Sequence, residues 1–135
     1  MIVLPNSGIV YGPYAAELVR AKDGDTALLY IRTWPSTRVL ISVREFGIDT
    51  PETRTRNKKE KELGIAATRT AEEFLKAGIV SVDNVVYGKY AGRVLGSIYV
   101  DGDSLGEYML AQGLAREYYG GKRKPWFPME ESSND

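Results

Sequence analysis

Between residues 15 and 44 the chain passes through three β-rich segments separated only by tight turns, and this limits its architecture more than any other feature. Residues 15–22 and 26–32 flank Asp23-Gly24-Asp25. Aspartate bonds its own backbone in such a turn and glycine accepts a positive φ, so the pair reads as a hairpin. Trp34-Pro35-Ser36 breaks the second run, and Arg38-Val39-Leu40-Ile41-Ser42-Val43-Arg44 reads as a third strand. Three strands in series form an antiparallel meander. Asp49-Thr50-Pro51-Glu52 ends it, because proline disfavours a regular continuation.

Downstream the period changes from two to 3.6. Leu63, Ala66, Ala67, Thr70, Ala71 and Phe74 form one stripe of a helix over 58–77, with Gly78 placed as the residue after its C-cap. The charged residues between them, Glu72 among them, read as its solvated face. Residues 79–87 and 93–100 read as strands around the turn Gly88-Lys89-Tyr90-Ala91-Gly92. Ser104-x-x-Glu107 is a capping box that opens a short second helix ending at Gly113, and 114–119 reads as a last short strand. Residues 1–13 read as an N-terminal arm with one edge strand at 8–11, residues 14–126 as a single domain, and residues 127–135 as a flexible tail. The order predicts a mainly β, α+β fold: a five-stranded antiparallel OB-fold barrel with a helix after strand 3 and a short second helix.

The residue inventory narrows the chemistry. The 135 residues include no cysteine and no histidine. Disulfides, thiolate or imidazole metal sites, cysteine nucleophiles and His-based triads are therefore excluded. Any metal must be held by oxygen, which favours a hard cation such as Ca²⁺ or Mg²⁺. Net charge is zero and the isoelectric point is about 6.4. The charge is uneven, however, with Arg54, Arg56, Lys58, Lys59 and Lys61 clustered against Glu60. No segment has the roughly 18 apolar residues of a membrane span. The start lacks the basic region of a secretory leader, so a cytoplasmic setting is expected, with secretion after removal of a leader left open.

Two acidic turns are the candidate metal centre: Asp25 on the first, Asp49 and the Thr50 carbonyl on the second. Two carboxylates, a carbonyl and water suit Ca²⁺ and leave positions for a phosphate. Glu52, three residues beyond Asp49, is placed to accept a proton from water. Arg44 and Arg93, each at a strand end, supply the planar donor forks that a phosphodiester transition state requires. Each turn taken alone is most simply a turn; the coincidence of all these groups in a small histidine-free chain favours a site.

The set resembles the staphylococcal nuclease (thermonuclease) family. It is carried by Asp23-Gly24-Asp25-Thr26, Val43-Arg44-x-x-Gly47-Ile48-Asp49-Thr50-Pro51-Glu52-Thr53, Gly92-Arg93, Ile98-Tyr99-Val100-Asp101-Gly102 and Gln112-Gly113-Leu114-Ala115, over residues 15–126. The resemblance implies a Ca²⁺-dependent endonuclease that hydrolyses DNA or RNA, single-stranded or denatured, leaving 3′-phosphate ends. It implies Asp25, Asp49 and the Thr50 carbonyl as ligands, Glu52 as the group that orients or deprotonates water, and Arg44 and Arg93 as the phosphorane-stabilising pair. It implies Tyr119, Tyr90 and Lys89 as substrate-binding residues. A monomer is expected. The turn before Arg93 departs from the family pattern by an extra alanine, and the chain is neutral where the secreted enzymes are basic. The alternative is a non-catalytic module of the same fold that binds nucleic acid or protein.

Overall fold

A computed structural model describes residues 10–88 and 92–127. Among these described residues eight strands and two helices follow in the order β1 (Tyr14–Asp23), β2 (Thr26–Trp34), β3 (Thr37–Glu45), β4 (Ile48–Asp49), α1 (Lys58–Lys76), β5 (Val80–Tyr87), β6 (Arg93–Val100), β7 (Asp103–Ser104), α2 (Leu105–Ala111) and β8 (Arg116–Glu117). The main sheet runs β3-β2-β1-β5-β6, with β7 at its end, and β6 returns to β3 to close a five-stranded barrel. The expected OB-fold barrel is therefore present, but its closing seam is not antiparallel. β3 and β6 pair in parallel, with Ser42 opposite Arg93 and Arg44 opposite Leu95. A parallel seam needs a long crossover, which α1 and β5 supply.

The barrel fills from alternate positions, as pleated strands require. Ala27, Leu29 and Ile31 of β2, Val43 of β3, Val80 and Val82 of β5, and Ile98 and Val100 of β6 are buried with Leu105 and Met109 of α2. At the other end Val39 and Ile41 of β3 join Tyr11, Tyr14, Val85 and Tyr87 around an apolar hollow of about 280 Å³. Of the expected edge strand at 8–11 the described residues show one isolated backbone bridge, Tyr11 to Val85, and residues 8 and 9 lie outside the described residues.

Helix α1 forms where the 3.6 period predicts, but its buried row is Glu60, Gly64, Ala67, Ala71 and Leu75. The predicted stripe is thus rotated by about one position, because small residues let the helix lie close to the β1–β2 turn and to the chain after β4. A Cβ on Gly24 would meet the Ala67 Cβ at 2.9 Å, and one on Gly64 would meet the Glu52 carbonyl at 2.5 Å. The charged face is not wholly solvated. A bulge in β1 frees the Ala21 N–H, which donates to Glu72 Oε1 at 2.7 Å. Gly78 follows the C-cap Ala77, and its reason for being glycine is space rather than φ, since a Cβ would lie 2.0 Å from Asp101 Oδ2. Phe74 of α1 stacks on Tyr108 of α2 with ring centres 4.4 Å apart.

Glu45 is the anomaly of the core. It continues the inward row of β3 and is 4% exposed. Its Oε1 accepts from Ile98 N–H at 2.9 Å, and Gly106 N–H at the start of α2 also donates to the carboxylate. The site is tight enough that a Cβ on Gly106 would lie 2.8 Å from Glu45 Oε2. Burial pushes the Glu45 carboxyl up to about 8, and the like charges of Asp25 and Glu107 add to the rise, while the two N–H donors oppose it.

The folded state keeps the Glu45 proton where the unfolded chain, with a pKa near 4.5, has lost it. The stability it contributes is complete below about 4.5 and lost as pH rises through about 8. Denaturant unfolding between these limits is expected to show stability falling by a few kcal/mol. Glu45→Gln should flatten this slope while losing the Gly106 hydrogen bond. An unchanged slope would show that Glu45 does not titrate as its burial requires.

Candidate active site

The two acidic turns meet because α1 holds them together. Gly24 packs against Thr50 as well as Ala67. Asp25, buried on the β1–β2 turn, has its Oδ1 bonded by the Thr26 hydroxyl at 2.8 Å. Its Oδ2 accepts from Thr50 N–H at 3.2 Å, and its carbonyl takes the Glu45 N–H at 2.7 Å. One turn is thereby tied to the other and to the end of β3.

Asp49 does not sit on a free turn. It belongs to β4, which pairs antiparallel with β8, Ile48 opposite Glu117 and Asp49 opposite Arg116. Its side chain is 2% exposed, and two residues of the C-terminal segment hold its Oδ2. Arg116 donates through Nε at 3.1 Å and Trp126 through Nε1 at 3.1 Å. Arg123 Nε donates to Oδ1 at 2.9 Å, and Arg44 Nη2 lies 3.8 Å from the same oxygen. Arg44 Nη2 is also 3.3 Å from Asp25 Oδ2, so the two predicted metal carboxylates converge on one cationic nitrogen.

Beyond β4, the Thr50 carbonyl accepts from Arg123 Nη2 at 3.2 Å. Glu52 has a 51% exposed side chain, with Oε2 3.8 Å from Arg123 Nε. Its backbone N–H donates to Glu60 Oε2 at 3.0 Å. Glu60 lies in the first turn of α1, whose N-cap Asn57 accepts the Glu60 N–H at 3.1 Å, and it also takes Arg123 Nη2 at 2.9 Å. Burial raises the Asp23 carboxyl above its ordinary value, and Asp25 and Glu52 raise it further by like charge. Burial lowers the Arg123 guanidinium, but its bonds to Asp49 and Glu60 outweigh this and hold it above its ordinary value.

The parallel seam sets the two predicted arginines side by side. Val94 faces the barrel hollow, so Arg93 and Leu95 face the other way, towards the side of Arg44. Arg44, Arg93 and Arg123 line one cleft of about 400 Å³ together with Phe46, Tyr118 and Tyr119. Pairing downstream of the turn, with Ser42 opposite Arg93, sets the position of Arg93 and leaves it lining the cleft with Arg44. Tyr119 is exposed and meets Phe46 edge to face at 5.7 Å, beside Gly47, whose φ is +93°. Lys89 and Tyr90 lie outside the described residues.

The predicted donors suit a hard cation. Asp25, Asp49 and the Thr50 carbonyl are all oxygen ligands, and the buried Thr50 hydroxyl has no hydrogen-bond partner. Among the described residues no three carboxylates form a metal-binding cluster, so a cation here would need carbonyl and water to complete its shell. Arg116, Arg123, Trp126 and Glu60 are absent from the predicted site. The segment Lys122-Arg123-Lys124-Pro125-Trp126 is visible as a basic break, but nothing in its spacing shows that it folds back onto Asp49. Glu60 stands three residues after Asn57, an N-terminal signature of a helix, yet its carboxylate serves the Glu52 loop instead.

Residues 42–132 match a family model described as staphylococcal nuclease homologue. Endonuclease YncB of Bacillus subtilis (strain 168) is 35% identical over 105 residues, which is 76% of this chain and 47% of that protein. The SPbeta prophage-derived endonuclease YokF of the same organism is 36% identical over 106 residues, 76% of this chain and 33% of that protein. The chain thus spans about half the length of the first relative and about a third of the second.

The contact between Gly64 and the Glu52 carbonyl gives a direct test of how the loop is held. Alanine favours a helix interior by roughly 1 kcal/mol over glycine. Its methyl group would nevertheless press on backbone rather than on a yielding side chain. Gly64→Ala is therefore expected to destabilise the protein by about 1–3 kcal/mol in urea unfolding. A gain in stability would show that the helix does not hold the Glu52 loop by contact.

Proposed function

The chain belongs to the staphylococcal nuclease homologue family, and from that premise we propose that it is a Ca²⁺-dependent endonuclease acting on phosphodiester bonds of DNA or RNA. The observation that carries the reading is the cleft itself. Arg44 and Arg93 share it, and Arg44 also touches Asp25 and approaches Asp49. A phosphodiester seated there meets two guanidinium forks beside an all-oxygen cation site.

Asp25, Asp49 and the Thr50 carbonyl would hold the cation. When bound, it offsets carboxylate charge and polarises a phosphoryl oxygen. Glu52, half exposed at the rim, is free to accept the proton of an attacking water. Its position depends on Glu60, which fixes its backbone N–H. Arg44 and Arg93 donate to the non-bridging oxygens, where negative charge accumulates as the nucleophile adds. Both are partly buried and line the same cleft. In-line attack with departure of the 5′ oxygen leaves a 3′-phosphate.

Single-stranded or denatured substrate is favoured by the exposed Tyr119 and Phe46 beside the cleft. An unpaired base can stack on such rings, and stacking is tolerant of sequence. A net charge of zero gives little long-range attraction to a polyanion, so binding should depend on this local cleft. A monomer suffices, since every proposed catalytic group comes from one chain.

Steady-state cleavage of a single-stranded oligonucleotide tests these roles. Glu52→Gln should lower kcat by about 10²–10⁴, and Arg44→Ala or Arg93→Ala by about 10²–10³. Tyr119→Ala should mainly raise KM. Cleavage at the wild-type rate by both Glu52→Gln and Arg44→Ala would refute the assignment.

A further inference from the structure

The guanidinium of Arg123 lies on two of the oxygens assigned above to a cation. Nε is 2.9 Å from Asp49 Oδ1 and Nη2 is 3.2 Å from the Thr50 carbonyl. The same nitrogen that bonds Thr50 also reaches Glu60 Oε2 at 2.9 Å, and Nε lies 3.8 Å from Glu52 Oε2. A divalent ion and a guanidinium cannot both use Asp49 Oδ1 and the Thr50 carbonyl closely. Both are positive, and each oxygen satisfies one of them at the expense of the other.

The rest of the Asp49 environment makes an exchange feasible. Its two oxygens have different partners. Oδ2 is held by Arg116 and the Trp126 indole, and Arg116 belongs to β8, which pairs directly with the Asp49 strand. Among the described residues, Oδ1 is held at hydrogen-bond distance by Arg123 alone. Loss of Arg123 therefore leaves Asp49 anchored, with one oxygen turned to the site. Arg123 stands just after Gly120 and Gly121, whose φ values are +103° and +84° and around which a Cβ would meet nothing within 4 Å. It also lines the open cleft with Arg44 and Arg93, so it can leave the two oxygens without crossing the core.

We propose that Arg123 is a tethered stand-in for the divalent cation: it occupies Asp49 Oδ1 and the Thr50 carbonyl until a cation displaces it, and so sets how tightly the site binds one. This inference rests on the cation site of the proposed function. It assigns Arg123 as a positioning residue that lowers apparent cation affinity by the fraction of molecules in which it is docked. Glu60 strengthens the docked state by accepting from the same Nη2 that bonds the Thr50 carbonyl.

Calcium binding measured by calorimetry on the full chain without nucleic acid tests the exchange. Arg123→Gln removes the charge and is expected to tighten Ca²⁺ binding about tenfold. Glu60→Gln, which weakens the anchor without touching Asp49, should tighten it by a smaller factor, and Arg123→Lys should stay near the wild type. If Arg123 instead merely supports the site, Arg123→Gln and Glu60→Gln will both bind Ca²⁺ equally or more weakly, which overturns the inference while leaving the cation site intact. If neither the wild type nor any variant binds Ca²⁺, the cation site itself falls, and this inference with it. Should Arg123→Gln fail to fold, the direction of the Glu60→Gln change decides.

Discussion

A carboxylate as buried as Asp49 requires compensating positive charge, and the architecture around the cleft follows from that requirement. An unpaired ion in a low-dielectric interior would cost several kcal/mol and would protonate or expel itself. Here Arg116 and Trp126 hold one oxygen while Arg123 and the more distant Arg44 serve the other. To supply them the chain must bring its last described segment back across the barrel. The two-stranded β4–β8 pairing is the device that does so. Losing all of these cations together would strand charge rather than merely remove contacts.

The same arrangement couples the Glu52 loop to the helix. Glu60 faces two ways, taking the Glu52 N–H and the Arg123 guanidinium. Gly64 lets α1 approach the Glu52 carbonyl closely. The proposed proton acceptor is thus carried on a rigid backbone with its carboxylate left in solvent. That combination suits a group that must exchange protons with water yet keep its place relative to Arg44 and Arg93.

Much of this was legible in the sequence, and the parts that were not have a common cause. Local chemistry revealed the hairpin at Gly24, the α1 span and the Ser104 cap, since each depends on neighbours in sequence. The parallel β3–β6 seam was not legible, because a strand's own pattern does not say which way its distant partner runs. The role of Glu45 was missed for a similar reason: a glutamate after Arg44 reads as surface until Ile98 and Gly106 are seen to receive it. The predicted Asp25, Asp49 and Arg44 do come together, and Arg93 shares the cleft with Arg44. Arg116, Arg123 and Trp126 were invisible as partners of Asp49, being more than sixty residues away along the chain.

We propose that this cleft hydrolyses phosphodiesters with a hard cation and leaves the phosphate on the 3′ side. End-group analysis of a single-stranded oligonucleotide, incubated with Ca²⁺ and separately with chelator, tests it most directly. The expected result is 3′-phosphate and 5′-hydroxyl ends that accumulate only with Ca²⁺. Intact oligonucleotide in both arms, or 5′-phosphate products, would contradict it.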